Sequence, residues 1–135
     1  MFTEFPNIMK TVRHANTAFL FPGTSLGYLE EAKSVRRVPY GQFFLENAER
    51  ALRRALETKR TLAAARQIVD NVFIYAVSCA ICERLRRQGI FPDITSGYSL
   101  GLHAMLYCGG LYSYETGLDI VVDCQICVTE AYESA

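Results

Sequence analysis

The chain has 135 residues, half of them hydrophobic and 12% aromatic, enough to build one core and too apolar for a disordered segment. Fourteen basic and fourteen acidic side chains cancel, which argues against a dedicated nucleic-acid or anionic-membrane surface. The first ten residues carry Glu4 and no apolar leader core, the longest apolar stretch around Val72–Cys82 is too short for a bilayer, and five cysteines are an odd number; a cytoplasmic chain with free thiols is the expectation.

Residues 1–16 show no clear periodicity and read as an irregular lead, followed by a single domain over 17–135. Thr17–Phe21 (TAFLF) is a short apolar run closed by Pro22-Gly23, as expected of a buried parallel strand. Thr24–Tyr28 reads as a loop. Gln42–Leu56 places Phe43, Phe44, Ala48, Ala51, Leu52 and Ala55 at helical spacing, and Thr58–Arg66 reads as a connector whose Leu62–Ala65 can already be helical. Gln67–Arg87 is the strongest helix: its centre, NVFIYAVSCAIC, is apolar almost all round, which predicts cover on most sides. Gly89 ends it, and Pro92-Asp93 leads into a second short strand at Ile94–Ser96. A helix over Leu100–Tyr107 is broken by Gly109-Gly110, and a last one covers Tyr112–Tyr132, with Ser113 as its N-cap and Glu115 in its first turn. Strands alternating with helices make this an α/β chain.

Chemistry concentrates at Gly97-Tyr98-Ser99-Leu100-Gly101, a Gly-x-Ser-x-Gly pentapeptide between the second strand and the following helix. In a nucleophile elbow a strand turns sharply into a helix and lifts a serine into the open; Gly97 and Gly101 suit that turn, where side chains would crowd the backbone. Ser99 then lies at a helix N-terminus, whose free N–H groups and dipole favour a developing oxyanion.

Several other features weigh less. The basic residues Arg53, Arg54, Lys59 and Arg60, and Arg84, Arg86 and Arg87, lie near helix C-termini and read as solvated faces, with anion steering toward CoA or an acidic carrier as the alternative. Cys79/Cys82 and Cys124/Cys127 have CxxC spacing, but both pairs fall in apolar helical runs, so packing is expected rather than a metal site. Cys108 reads as a core residue. Glu115 and Asp119 read as a solvated helix face. His103, one turn after Ser99, is expected to pack against its neighbours rather than to act as a base, and His14 lies in the irregular lead.

FLFPG near the start, the buried helix, GIFPD, GYSLG and CGGLYSYETGLDIV, in that order over roughly Thr17–Ala131, resemble the N-terminal part of the malonyl-CoA:acyl carrier protein transacylases. The family's FPGQGSQ corresponds to Phe21–Gly27, its QPAL-type helix start to Asn71–Ile74, and its GHSLGE to Gly97–Leu102. The resemblance implies a partial α/β-hydrolase-like large subdomain, helix-rich with a short parallel sheet and without the ferredoxin-like subdomain. It implies ping-pong acyl transfer in fatty-acid or polyketide synthesis: Ser99 attacks an acyl-CoA thioester, CoA leaves, and the thiol of an acyl carrier protein takes the acyl group. The backbone N–H groups of Leu100 and Thr24 would form the oxyanion hole, with Gly23 keeping the loop close to the elbow. No bound cofactor is implied; acyl-CoA is substrate.

The departures are specific. The family's general-base histidine lies further beyond the serine than this sequence runs, and a serine without a positioned base is a poor nucleophile. Tyr98 and Leu102 replace the family's histidine and glutamate around the serine, and Cys124 stands where malonyl-selective members carry the arginine that grips the substrate carboxylate. A neutral acyl group such as acetyl fits that replacement better than malonyl. Tyr98, Asn71 and Cys124 are therefore the expected lining residues. Two parallel strands alone leave bare edges, which predicts self-association or a complementing C-terminal chain. The alternative is an inactive remnant that binds a partner or acyl-CoA without turnover.

Overall fold

The structure is a computed structural model that describes residues 17–24, 27–57 and 62–135. The lead over 1–16 with His14, and the basic residues Lys59 and Arg60, lie outside the described residues. Seven elements follow in chain order: β1 (Ala18–Phe21), α1 (Tyr28–Arg36), α2 (Pro39–Glu57), α3 (Leu62–Arg87), β2 (Ile94–Gly97), α4 (Gly101–Cys108) and α5 (Tyr114–Glu133). The described residues are thus helix-rich, with one parallel sheet of two strands.

The long apolar run forms the central helix. In α3, Val72, Ala76, Cys79 and Ala80 are fully buried, and Ile74, Tyr75, Val77 and Cys82 nearly so. No apolar stripe is needed when α1, α2, α4 and α5 all pack around one helix. Its C-terminus closes as a Schellman motif: Gly89 takes φ 77°, its N–H donates to Arg86 O at 2.9 Å, and Ile90 N–H donates to Leu85 O at 2.9 Å. An aromatic cluster ties α2, α3, α4 and α5 together. Tyr75 and Tyr114 stack with centroids 5.6 Å apart, Phe44 meets Tyr114 edge-on at 4.5 Å, and Tyr114 Oη donates to Phe44 O at 2.6 Å. Burial pushes both tyrosine hydroxyls far above their ordinary pKa, so they stay neutral donors.

β1 and β2 pair in parallel with Ala18 opposite Ile94 and Phe21 opposite Gly97. The pairing begins where Asp93 N–H donates to Thr17 O at 2.9 Å while Asp93 Oδ2 accepts from Thr17 N–H at 3.0 Å. The first strand was expected to be buried on both sides; it is buried on one. Phe19 and Phe21 face the helices, and Leu20 on the opposite face is 75% exposed. Ile94 on β2 is exposed on that same face, and Phe91 and Tyr98 flank it exposed. Strand alternation puts every second residue on one face, and here only one face has a partner layer.

The larger boundary differences from the sequence reading lie in the first half of the chain, while the others shift by one or two residues. The segment before Gln42 contains a whole helix, α1, and α2 begins at Pro39. Helix α3 begins at Leu62, so the connector is shorter than expected. The last helix is capped as predicted: Ser113 Oγ accepts from Thr116 N–H at 3.1 Å.

Candidate active site

The GYSLG segment sits where β2 ends and α4 begins, and its backbone turns through an unusual conformation. Ser99 has φ 52°, the only non-glycine residue with positive φ among the described residues. A β-carbon in this left-handed region is strained by about 1–2 kcal/mol. The turn exposes Ser99, buries Leu100 and starts α4 at Gly101. Three hydrogen bonds close it: Gly101 N–H to Tyr98 O at 2.9 Å, Leu102 N–H to Ser99 O at 3.0 Å, and His103 N–H to Leu100 O at 3.2 Å. No backbone acceptor among the described residues takes up the Leu100 N–H, as expected for the opening turn of a helix.

Close approach explains both glycines. A β-carbon on Gly101 would run into the Phe21 and Pro22 carbonyl oxygens, and one on Gly97 would meet Gly101 O at 2.5 Å. Their absence lets the end of β1, the elbow and α4 share one small volume. The loop after β1 therefore lies against the serine. A β-carbon on Gly23 would stand 3.3 Å from Tyr98 O and 3.4 Å from Ser99 Cβ, which is contact distance.

That loop is also held from behind. Thr24 Oγ1 donates to Asn71 Oδ1 at 3.2 Å, and Asn71 Nδ2 donates to Gln125 Oε1 at 2.6 Å. Asn71 is only 4% exposed; its two amide bonds satisfy a group whose unpaired burial costs about 1–3 kcal/mol. This chain runs from the loop through α3 to α5. Asn71 was expected near the site. Gln125 was not, because a single glutamine in IVVDCQIC carries no signal of the helix it faces.

The remaining predicted residues are placed as follows. Tyr98 is 79% exposed beside Gly23, and Leu102 is exposed on α4. Cys124 is exposed on α5, one residue before Gln125. His103 is half-buried; its Nδ1 is buried with no hydrogen-bond partner, and desolvation holds its pKa below the ordinary value. Neither His103 nor any other described side chain is hydrogen-bonded to the Ser99 hydroxyl. The main-chain oxygen of His103 accepts from Tyr112 Oη at 2.7 Å, which fixes α4 against the segment leading into α5.

The cysteine expectation needs a correction. Cys79, Cys82 and Cys108 are buried as predicted, but Cys124 and Cys127 are exposed, because the inner face of α5 runs through Val121, Val122, Gln125 and Ile126 and the two cysteines fall on the opposite face. The arginines at the end of α3 act locally: Arg87 pairs with Glu83 at 2.8 Å, Arg84 donates to Ser34 Oγ at 3.3 Å, and Arg86 donates to Cys108 O. A cavity of about 430 Å³ lies along the unpaired edge of β1, lined by Leu20, Tyr28, Ile74, Val77, Ile81 and Cys82 among others, and none of its walls comes from the elbow.

The sequence is 35% identical over 48 residues to a malonyl-CoA acyl carrier protein transacylase of Synechocystis sp., covering 36% of this chain and 16% of that protein. It is 27% identical over 103 residues to the transacylase of that name from Bacillus subtilis, covering 73% of this chain and 32% of that protein. This chain is a partial relative of the malonyl-CoA acyl carrier protein transacylases. The crystal structure of the Synechocystis malonyl-CoA:ACP transacylase superposes with a TM-score of 0.59 at 22% identity, covering 82% of this chain and 39% of that one, so the fold is shared. No protein-family model matches. The chain spans a third or less of the transacylases it matches in sequence. Among the described residues no helix is long and apolar enough to cross a membrane.

Proposed function

We propose that Ser99 is the nucleophile of an acyl-CoA:acyl carrier protein acyltransferase, and that this chain supplies the nucleophile half of an α/β-hydrolase-like acyltransferase fold. The observation that carries the reading is the left-handed Ser99 at a strand-to-helix turn, with the Gly23 loop in contact. Ser99 Oγ attacks the thioester carbonyl while a base from the complementing half takes its proton, and the C–S bond breaks as the CoA sulfur receives that proton; the carrier's thiol then attacks the acyl-serine ester, its proton passing through the same base to Ser99 Oγ as the C–O bond breaks. The Leu100 and Thr24 N–H groups are the donors for the oxyanion in both steps. The thiol at Cys124 provides no charge for a substrate carboxylate, so acetyl or another neutral acyl group is the preferred substrate. The relatives' name, malonyl CoA-acyl carrier protein transacylase, supports the acyl-CoA donor and the carrier-protein acceptor of this reading, and the role assigned here is acyl transfer in fatty-acid or polyketide synthesis in the cytoplasm.

A second reading is a remnant that binds acyl-CoA without turnover. It is favoured by His103, whose buried Nδ1 makes no bond to Ser99. Incubation with acetyl-CoA while free CoA thiol is followed separates the two. Transfer releases CoA stoichiometrically with enzyme and faster than it does with malonyl-CoA; a remnant shows calorimetric binding with no thiol release.

A further inference from the structure

Two cysteines that the sequence keeps apart meet in the core. Cys82 on α3 and Cys108 at the end of α4 are 26 positions apart, and their Sγ atoms are 2.9 Å from each other. We propose that Cys82 and Cys108 form a thiol oxidation site, closing to a disulfide when a small two-electron oxidant reaches them.

A disulfide needs about 2.05 Å between sulfurs, so the approach required is under 1 Å by that standard. Access comes from the apolar cavity beside β1, which has Cys82 in its wall. Polarity comes from Arg86, whose guanidinium donates to Cys108 O and stands 3.9 Å from Cys108 Sγ. The roles of the two sulfurs differ. Burial first, and then its hydrogen bond to Cys108, pushes the Cys82 thiol up to about 12, so it keeps its proton and donates. Cys108, the acceptor beside a cation, is the attacking sulfur.

With a diazene dicarboxamide as oxidant, Cys82 sulfur, in the cavity wall, adds to one nitrogen of the N=N bond as the neighbouring nitrogen takes its thiol proton. Cys108 sulfur then attacks Cys82 sulfur, breaking the S–N bond; the released hydrazine carries both thiol protons, so both sulfurs are oxidised and the diazene is reduced. The new bond joins α3 to the far end of the helix that Ser99 precedes. This inference stands independently of acyl transfer.

The test is treatment of the full native chain with diamide, followed by peptide mapping under non-reducing conditions. The expected result is a Cys82–Cys108 cross-linked peptide, reversed by dithiothreitol, with Tm raised by roughly 10 °C for a loop of this length. Cys82→Ser and Cys108→Ser each remove the cross-link, and the double variant of Cys124→Ser and Cys127→Ser retains it. Intact thiols at Cys82 and Cys108 in the treated wild-type chain overturn the proposal. So does a bridge made only by Cys79 or by the exposed pair, or one that forms only in denaturant.

Discussion

Asn71 Nδ2 donates to Gln125 Oε1 at 2.6 Å, and through Thr24 this buried amide ties α5 to the loop that touches Ser99. Asn71→Ala strands Gln125 and frees Thr24, for an expected loss of about 1–3 kcal/mol in urea unfolding. Amide exchange at Gly23 and Thr24 should accelerate more than exchange elsewhere. Gln125→Ala keeps the Thr24 bond but leaves the buried Asn71 Nδ2 without its partner, for a similar expected cost of about 1–3 kcal/mol and with loop exchange little changed. Loop exchange that accelerates no more in Asn71→Ala than in Gln125→Ala would contradict this linkage.

Gly101 has no room for a methyl group, since the Phe21 and Pro22 carbonyls occupy the space. Gly101→Ala must push α4 away from the end of β1. The expected cost is at least about 1–3 kcal/mol, read from chemical denaturation. A neutral result would mean that the elbow does not sit this close to β1.

Ser99 holds a strained backbone at φ 52°, and glycine adopts that region freely. Ser99→Gly should therefore be more stable than Ser99→Ala by about 1 kcal/mol, although both lose the hydroxyl. The comparison isolates backbone strain from side-chain chemistry. An alanine variant as stable as the glycine one would remove the evidence for an elbow.

His103 has its folded-state pKa lowered by burial. The unfolded chain then binds the proton first, so this residue's contribution is fully present above about pH 6.5 and is lost as pH falls through the folded-state value. Thermal midpoints measured from pH 7.5 down to 5 should fall less steeply for His103→Gln than for the wild-type chain. Parallel curves would show that His103 is not desolvated.

The sequence was readable where apolar runs are closed by turn residues. TAFLF before Pro22-Gly23 and NVFIYAVSCAIC before Gly89 declare a strand and a central helix without help from tertiary structure. Helix α1 was not readable, because YLEEAKSVR buries Val35 alone. Its support comes from elsewhere in the fold, through Tyr28 Oη donating to Asp70 Oδ1 at 2.7 Å and Arg84 reaching Ser34. The exposed Lys33–Glu30 pair at 2.7 Å adds only a few tenths of a kcal/mol. At the site, the glycines and Ser99 were legible because a tight turn restricts residue type. Gln125 and the Cys82–Cys108 contact were not, since each depends on which helix faces which. Cys124 and Cys127 misled because an apolar stretch does not reveal which face of α5 is turned inward; Ile126 packs against the core and both cysteines face away.

The central claim is that Ser99 carries the acyl group. Incubation with acetyl-CoA, an acid quench and tandem mass spectrometry of the peptide spanning 93–103 measure this directly. An acetyl group localised to Ser99, absent from Ser99→Ala and discharged by a carrier-protein thiol, is the predicted result. An unmodified Ser99 while CoA is released, or an acetyl group found instead on an exposed cysteine, would contradict it.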